Sequence, residues 1–565
     1  MNDRQQGLKN SISSDGVGYY CYLPAAIIYH DFSYRFYYQE GNNIDPFFRP
    51  YIHPYKSRGV NKYYGGTAIC LLPFFLVGVV ISAITGTDMN GYTDTFLMLV
   101  SVAAIFYYLL SVFLLLRVGR FFSISDKISF ATCLIFLFAT NMFHYVIQEP
   151  SMSHIYSFFA VSLFLYCYMR LTEQVSTKRL LFLGFALALV ALIRPVNVVV
   201  VLFTPFFSHN FKEYVLFLKL VFTTHIKGVV LFVFGSFLAV AIQFMFYYLQ
   251  TGDFYVMTYD GESFDFAHPE ILNVLFSYRK GLFVYVPLLL AAFIFILVTK
   301  NNRFKKTVFF ITFSVFMYIT ASWYCWWYGG GFGLRPVIDV LPLFIIVCML
   351  LYSKLQTKAK RIILISTLPF LFLCQLMAFQ YSNKLMDGNN MTEDKFWDIF
   401  LKTDLAKINE GRMRKILERN EIQKTELLNY ENDGDDPRVT NSGYHSNKAC
   451  IVGEKNHFSK AFEFSVNSLR IKGPFYIIME CMVKTNKEGK DLGLILWIDE
   501  RNNLVVWDEV FRSQFNEGID GWVKMTHVVE VDGKFNNDIS NIKIFAHTEK
   551  GDNLVDDLKY TIVKK

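Results

Sequence analysis

Long apolar blocks separated by short basic turns fill the first two-thirds of the chain. Blocks of about 17–25 apolar residues match the length a helix needs to cross a bilayer. The pattern predicts spanning helices at about 93–116, 128–143, 154–170, 228–249, 281–299, 307–322, 337–353 and 361–380. Two apolar runs depart from it. Thr67–Thr85 is short, and Pro73 interrupts it. The run 180–206 has Arg194-Pro195 at its middle, and proline disfavours helical backbone in the residue before it. This second run is therefore expected to enter the membrane and return. Beyond about 380 the pattern changes. Residues 383–428 are charged with helical spacing, and Phe396, Trp397, Ile399, Phe400 and Leu401 form an apolar face. Glu431–Asp436 reads as an acidic linker. From about 440 onward short alternating runs predict strands, among them Phe475–Val483, Leu492–Ile498, Trp522–Val531 and Leu558–Val563.

The predicted fold is thus a multi-pass α-helical membrane domain followed by a small all-β sandwich or jelly-roll domain. The segments divide as a first outer loop with juxtamembrane helices at 1–92, a transmembrane domain at 93–380, a helical linker at 381–439 and a β domain at 440–565. Composition agrees: 53% of residues are hydrophobic and 18% are charged, below the roughly 25% charged residues of a soluble domain. The net charge of +7 is spread through short turns between apolar blocks, which suits a bilayer and not a nucleic acid. Nine cysteines form no CxxC pair, so neither a zinc site nor a disulfide framework is indicated.

Basic turns mark the cytoplasmic side. Arg117–Arg120 with Lys127, Lys178-Arg179, Lys212 to Lys227, Lys300–Lys306 and Lys354–Arg361 should all lie there. With these inside, Thr67–Thr85 does not cross but lies along or dips into the outer surface. Four polar stretches then share the outer face: 1–92, 144–153, 250–280 and 323–336. The C-terminal domain joins them, so the site and that domain are expected on the periplasmic side of a bacterial cytoplasmic (inner) membrane.

The outer stretches hold the candidate chemistry. Asp15, between Ser14 and Gly16, and Glu149, before Pro150, are the two acids. Lys62, Arg194, Arg279, Lys280 and Arg335 are the cations. A sugar carried on a lipid phosphate has a stable leaving group, so it needs cations to hold developing charge and a carboxylate to take the acceptor's proton. In that chemistry Asp15 is the base, and Glu149 is a second acid that orients acceptor or sugar. Basic side chains near the membrane surface can clamp that phosphate, and Lys62, Arg194, Arg279 and Arg335 are the candidates. Tyr19, Tyr20, His154 and Tyr328 are candidate substrate contacts. A divalent cation is compatible with the two acids, and metal use stays open. Each residue also has an ordinary reading: Asp15 as a helix cap, Arg279 and Lys280 as snorkelling flanks, and His154 as a satisfied interfacial histidine.

The residues resemble, in order as well as content, the GT-C superfamily of polytopic glycosyltransferases. That superfamily includes protein O-mannosyltransferases and lipid A aminoarabinose transferases. The resemblance rests on Ser14-Asp15-Gly16 with Tyr19-Tyr20, Asn61-Lys62-Tyr63-Tyr64-Gly65, Glu149-Pro150-Ser151-Met152-Ser153-His154, Arg194-Pro195, Ser277-Tyr278-Arg279-Lys280-Gly281 and Trp327-Tyr328-Gly329-Gly330-Gly331-Phe332-Gly333-Leu334-Arg335-Pro336. It implies a polyprenyl-phosphate-linked sugar donor, a glycan, lipid or protein acceptor, and inversion at the sugar carbon. Two departures stand out. A first helix is expected ahead of Asp15 in a longer version of the chain, and Gly16 follows Asp15 where a second acid is usual. The tail resembles carbohydrate-associated jelly rolls at Val555-Asp556-Asp557-Leu558, with Trp497 and Trp507 expected in its core. Alternative functions are a flippase for lipid-linked sugars, which would string charges along a central path, and an O-antigen-type polymerase or ligase.

Overall fold

The computed structural model describes residues 8–565 except 40, 43, 57, 260, 301, 429, 431–437, 441, 445–447, 454, 472, 486–491, 501–502, 516–518, 532–539 and 549–550. The acidic linker expected at Glu431–Asp436 falls outside the described residues. The chain forms two compact units, Met1–Glu393 and Asp394–Lys565.

The first unit is helical. Its main helices are α1 (Asp15–Tyr20), α2 (Gly66–Thr85), α3 (Asp94–Phe121), α4 (Asp126–Phe138), α5 (Ser153–Glu173), α6 (Thr177–Ile193), α7 (Ile226–Thr251), α8 (Pro287–Val298), α9 (Arg303–Ala321), α10 (Leu341–Ser353), α11 (Thr357–Ser366) and α12 (Leu368–Ser382). Among the described residues seven helical segments are long and apolar enough to cross a membrane: α2, α3, α5, α7, α9, the 3-10 turn Arg335–Val340 continued by α10, and α11 continued by α12. This is a membrane protein by the length and composition of those segments.

Local chemistry sets the boundaries. Asp94 opens α3 and Arg120 closes it, each charge at the dipole end it favours. Ser125 caps α4 by accepting from the Ile128 amide, and Ser176 caps α6 by accepting from the Arg179 amide. The break at Arg194-Pro195 is as expected: α6 stops at Ile193, Arg194 is extended, and a 3-10 helix, Pro195–Phe207, begins at the proline.

Four expectations need correction. The spans expected at 128–143 and 281–299 are α4 and α8, which at 13 and 12 residues are too short to stand among the seven. Pro73 does not interrupt α2, which runs unbroken for 20 residues. Proline removes one helix hydrogen bond, and here the surrounding apolar packing tolerates the loss. Both halves of α2 pack beside the first half of α3: the Tyr107 hydroxyl donates to the Cys70 carbonyl, and Gly78 abuts Phe96 and Leu99. The stretch 212–227, read as a basic turn, contains a helix, Phe211–Thr224, in which only Val221 is buried.

Helix direction brings the polar stretches to one end. The chain enters α3, α5 and α10 at that end and leaves α6, α7 and α9 there. The stretches 1–92, 144–153, 250–280 and 323–336 therefore meet. A hairpin of β1 (Ile52–Tyr55) and β2 (Arg58–Asn61) positions Lys62 and Tyr63. The Asn61 amide donates to Gln250 Oε1 at 2.7 Å and ties that hairpin to the end of α7. The start of α2 lies against the end of α6: a Cβ on Gly66 would sit 2.5 Å from the Ile193 amide nitrogen. Backbone on both sides leaves no flexible side chain to yield. Gly66→Ala is expected to destabilise the unit by about 1–3 kcal/mol, read as a lowered unfolding temperature in detergent.

The second unit begins earlier than expected. Helix α13 (Leu405–Arg419) lays Met413 and Ile416 on Ile478, Val528 and Val563, and β3 (Ile422–Leu428) pairs with β12 (Asn553–Lys564). The helical spacing of this stretch is as expected, but a second narrow apolar face, Met413 and Ile416, seats it on the sheet of the β domain. One sheet has the order β10-β7-β12-β5-β4, where β10 is Trp522–Val531, β7 Phe475–Thr485, β5 Ala449–Val452 and β4 Val439–Thr440. The other has the order β6-β11-β8-β9, where β6 is Phe462–Ser465, β11 Ser540–His547, β8 Gly493–Glu500 and β9 Asn503–Phe511. All pairings are antiparallel. Phe462 of β6 packs edge-on to Tyr560 of β12 with ring centroids 4.7 Å apart, which joins the two sheets. Trp507 is not core: it is 42% exposed and sits directly opposite the half-buried Trp497.

Candidate functional site

Asp15 starts α1 directly after Ser14, whose φ of 52° lies in the left-handed region. A non-glycine residue held there stores strain and is a feature of functional sites. Gly16 presses α1 against Ser151: a Cβ there would stand 1.9 Å from Ser151 Oγ. The Asp15 carboxylate is fully engaged. Arg335 Nη2 donates to one oxygen at 2.6 Å, and the Tyr63 hydroxyl donates to the other at 2.8 Å. Burial alone would raise this carboxyl, but the Arg335 charge, the Tyr63 bond and the more distant Lys62 outweigh it and hold it below the usual carboxylate range. Asp15 is thus ionised at neutral pH. Stability from its pairing is complete above the unfolded carboxylate value and is lost only as pH falls through its own lower one.

Arg335 is 8% exposed. Only its Nη2 is engaged, because Nε and Nη1 are buried with no hydrogen-bond partner among the described residues. A buried guanidinium with open donors beside a carboxylate is a ready place for an anion.

Arg194 belongs to a second cluster. Its Nε lies 3.2 Å from Asp339 Oδ2. Asp339 is fully buried and also receives the Asn197 amide at 2.9 Å and faces His154 Nδ1 at 2.9 Å. His154 Nε2 is 3.4 Å from Arg194 Nη1. If His154 is neutral, the Asp339 contact fixes the proton on Nδ1, leaving Nε2 to accept from Arg194. Tyr19 links the clusters: its ring centroid is 4.7 Å from that of Tyr63, and its hydroxyl is within electrostatic reach of Asp15, Arg194 and Arg335. Tyr328, at φ 56°, donates to the Thr320 carbonyl within reach of Arg194.

Lys62 pairs with Glu262 at 2.9 Å and sits beside the rings of Tyr63 and Tyr259. Glu149 lies 3.1 Å from His144 Nε2 and within electrostatic reach of Lys280 and Arg335. Asp15, Lys62, Glu149, Arg194, Arg335, Tyr19 and Tyr328 are therefore gathered at one end of the bundle.

Three expectations are corrected. Tyr20 is core: one residue round the helix from Tyr19, it is buried and donates to the Gly91 carbonyl at 2.6 Å. His154 is locked between Asp339 and Arg194, with both ring nitrogens occupied. Arg279 lies against Trp327, 3.5 Å from its ring centroid, and donates to the Asn389 carbonyl and Asn390 Oδ1. None of these partners belongs to the Asp15 or Asp339 clusters. The next residue faces inward instead: Lys280 is buried and donates to the Gly331 carbonyl.

Burial, helped by the Arg335 charge and opposed by Glu149, pushes the Lys280 ammonium down to about 7. The unfolded chain holds that proton more tightly. Stability should therefore rise with pH from about 7 towards the ordinary lysine value, with a slope of at most about 1.4 kcal/mol per pH unit. Lys280→Met should flatten that slope in unfolding measurements made across pH.

Asp339, Asn197 and Glu262 were not singled out from sequence. Asp339 did carry a signal, as a lone acid inside the apolar run that follows Arg335. Among the described residues no group of three or more His, Cys, Asp or Glu side chains is placed to hold a metal ion. No protein-family model matches the chain, and no curated protein matches it.

Proposed function

We propose that the chain is a membrane glycosyltransferase with a GT-C-like helical domain. It moves a sugar from a polyprenyl-phosphate donor to a glycan, lipid or protein acceptor with inversion at the anomeric carbon. The observation that carries this reading is Arg335, which holds Asp15 with one nitrogen and keeps two buried donors open. A phosphate is the anion that suits those donors, and the neighbouring Arg194 adds a second cation.

The chemistry follows from the charges. The donor phosphate accepts from Arg335 Nε and Nη1, with its polyprenyl tail in the bilayer. Part of the Arg335 charge then goes to the phosphate, so Asp15 becomes more basic as the donor binds. The acceptor hydroxyl attacks the anomeric carbon from the face opposite the phosphate and gives its proton to Asp15. The bond between that carbon and the phosphate oxygen breaks, and polyprenyl phosphate leaves with its charge held by Arg335 and Arg194. Glu149 and Tyr19 orient the sugar or acceptor. The site and a jelly-roll second unit would face the periplasm of a bacterial inner membrane, where the exposed Trp507 suits stacking on sugar.

The test uses purified protein in liposomes with labelled polyprenyl-phosphate sugars and a crude glycan or lipid acceptor fraction. Wild type should release polyprenyl phosphate and transfer label. Absence of turnover across the common polyprenyl-phosphate hexoses and pentoses would count against the reading.

A further inference from the structure

A cavity of about 550 Å³ opens between α4, α8, α10 and the α11–α12 pair. It lies away from Asp15. Lys127, at its rim, follows the far end of α3, and Tyr352 stands near the far end of the 13-residue α10, about 20 Å along that helix from its start near Asp339. Phe136, Leu288 and Ala292 form a buried apolar floor, and Ala131, Ala291 and Thr132 leave the space open. The covering wall is loosely seated. Helix α11 buries none of its side chains, and the most apolar stretch of Thr357–Ser382 is only 11% buried. Two contacts hold its start to the end of α10: Tyr352 donates to the Lys360 carbonyl, and Lys360 Nζ donates to the Ser353 carbonyl at 2.9 Å.

The cleft is half open, and the helices around it are apolar enough to stand in a bilayer, so its mostly apolar lining is covered there by hydrocarbon and not by water. The occupant must therefore be hydrocarbon, and the volume lies within the range of ordinary ligand pockets. The rim adds a second requirement. Lys127 is exposed with no ion-pair partner among the described residues, and Lys358 and Arg361 are exposed on α11 just before the lining residues Ile363 and Leu364. Basic side chains at a membrane surface attract anionic lipid headgroups.

We propose that this cleft is a binding site for one anionic glycerophospholipid of the surrounding bilayer. An acyl chain lies between α4, α8, α10 and α11, and the phosphate sits at Lys127. The site is independent of the proposed sugar transfer. The lipid replaces missing protein contacts along α11 and so couples the cover to the bundle.

The test is native mass spectrometry of the full chain, delipidated in mild detergent and then titrated with phosphatidylglycerol, phosphatidylcholine or a polyprenyl phosphate. Wild type should retain one phosphatidylglycerol in preference to phosphatidylcholine. Lys127→Glu should lower that preference about fivefold, and Ala131→Trp should abolish retention of the chain by filling the cleft. Equal retention of the two phospholipids by wild type would overturn the proposal, and so would retention of the polyprenyl phosphate that exceeds that of phosphatidylglycerol in wild type and falls with Lys127→Glu. Undiminished retention by a folded Ala131→Trp protein would also overturn it. Should Ala131→Trp fail to fold, Lys127→Glu decides: an unchanged preference contradicts the proposal.

Discussion

Asp15→Asn is expected to slow sugar transfer about 100- to 10,000-fold, the range for removing a positioned general base. Asparagine matches aspartate in shape but takes up no proton at neutral pH. Its amide oxygen can still accept from Arg335 while its amide nitrogen donates to the Tyr63 hydroxyl, but the negative charge is gone, so the 2.6 Å contact is weakened. Arg335 is then freer to hold an anion. Donor affinity should stay within a few-fold of wild type or tighten, while kcat falls. Steady-state kinetics paired with polyprenyl-phosphate binding checks both halves. A variant with normal kcat would remove Asp15 from the chemistry.

Asp339→Ala should be the most destabilising change among the site residues. Asp339 is fully buried and serves Arg194, Asn197 and His154 together. Removing the buried partner of this pair leaves a largely covered Arg194 charged without its counter-ion, at a cost approaching that of a fully buried pair, about 3–5 kcal/mol. Arg194 also loses the contact that aims its guanidinium, so donor KM should rise in whatever protein folds. Asp339→Asn should cost less, because its amide oxygen still accepts one of the three bonds. Thermal unfolding in detergent, compared across the two variants, gives the order. Equal stability of Asp339→Ala and wild type would mean that the cluster contributes nothing to the fold.

Much of this was legible in the sequence because its signals were strong. Apolar blocks located the spans, although α4 and α8 are shorter than a full crossing. Proline after Arg194 located the break in the 180–206 run. Charge bias in the turns gathered the polar stretches at one end, and the helix directions agree. What was not legible depended on which way a side chain points. Arg279 and Lys280 are neighbours in an irregular loop with no period to say which faces inward. Tyr19 and Tyr20 differ only by a step around a short helix. Asp339 was hidden by its apolar neighbours, although an acid at such depth requires partners. Within 394–428 the helical spacing was legible but its docking was not, because a narrow apolar face of Met413 and Ile416 is enough to seat a helix on a sheet.

The most direct measurement compares two lipids on the wild-type protein: a polyprenyl phosphate and the matching polyprenyl alcohol. The tails are identical, so any difference in Kd reports the phosphate alone. Open donors on a buried Arg335, with Arg194 nearby, predict at least about tenfold tighter binding of the phosphate, the effect of one charge-assisted hydrogen bond. Equal affinity for the two lipids would contradict the account.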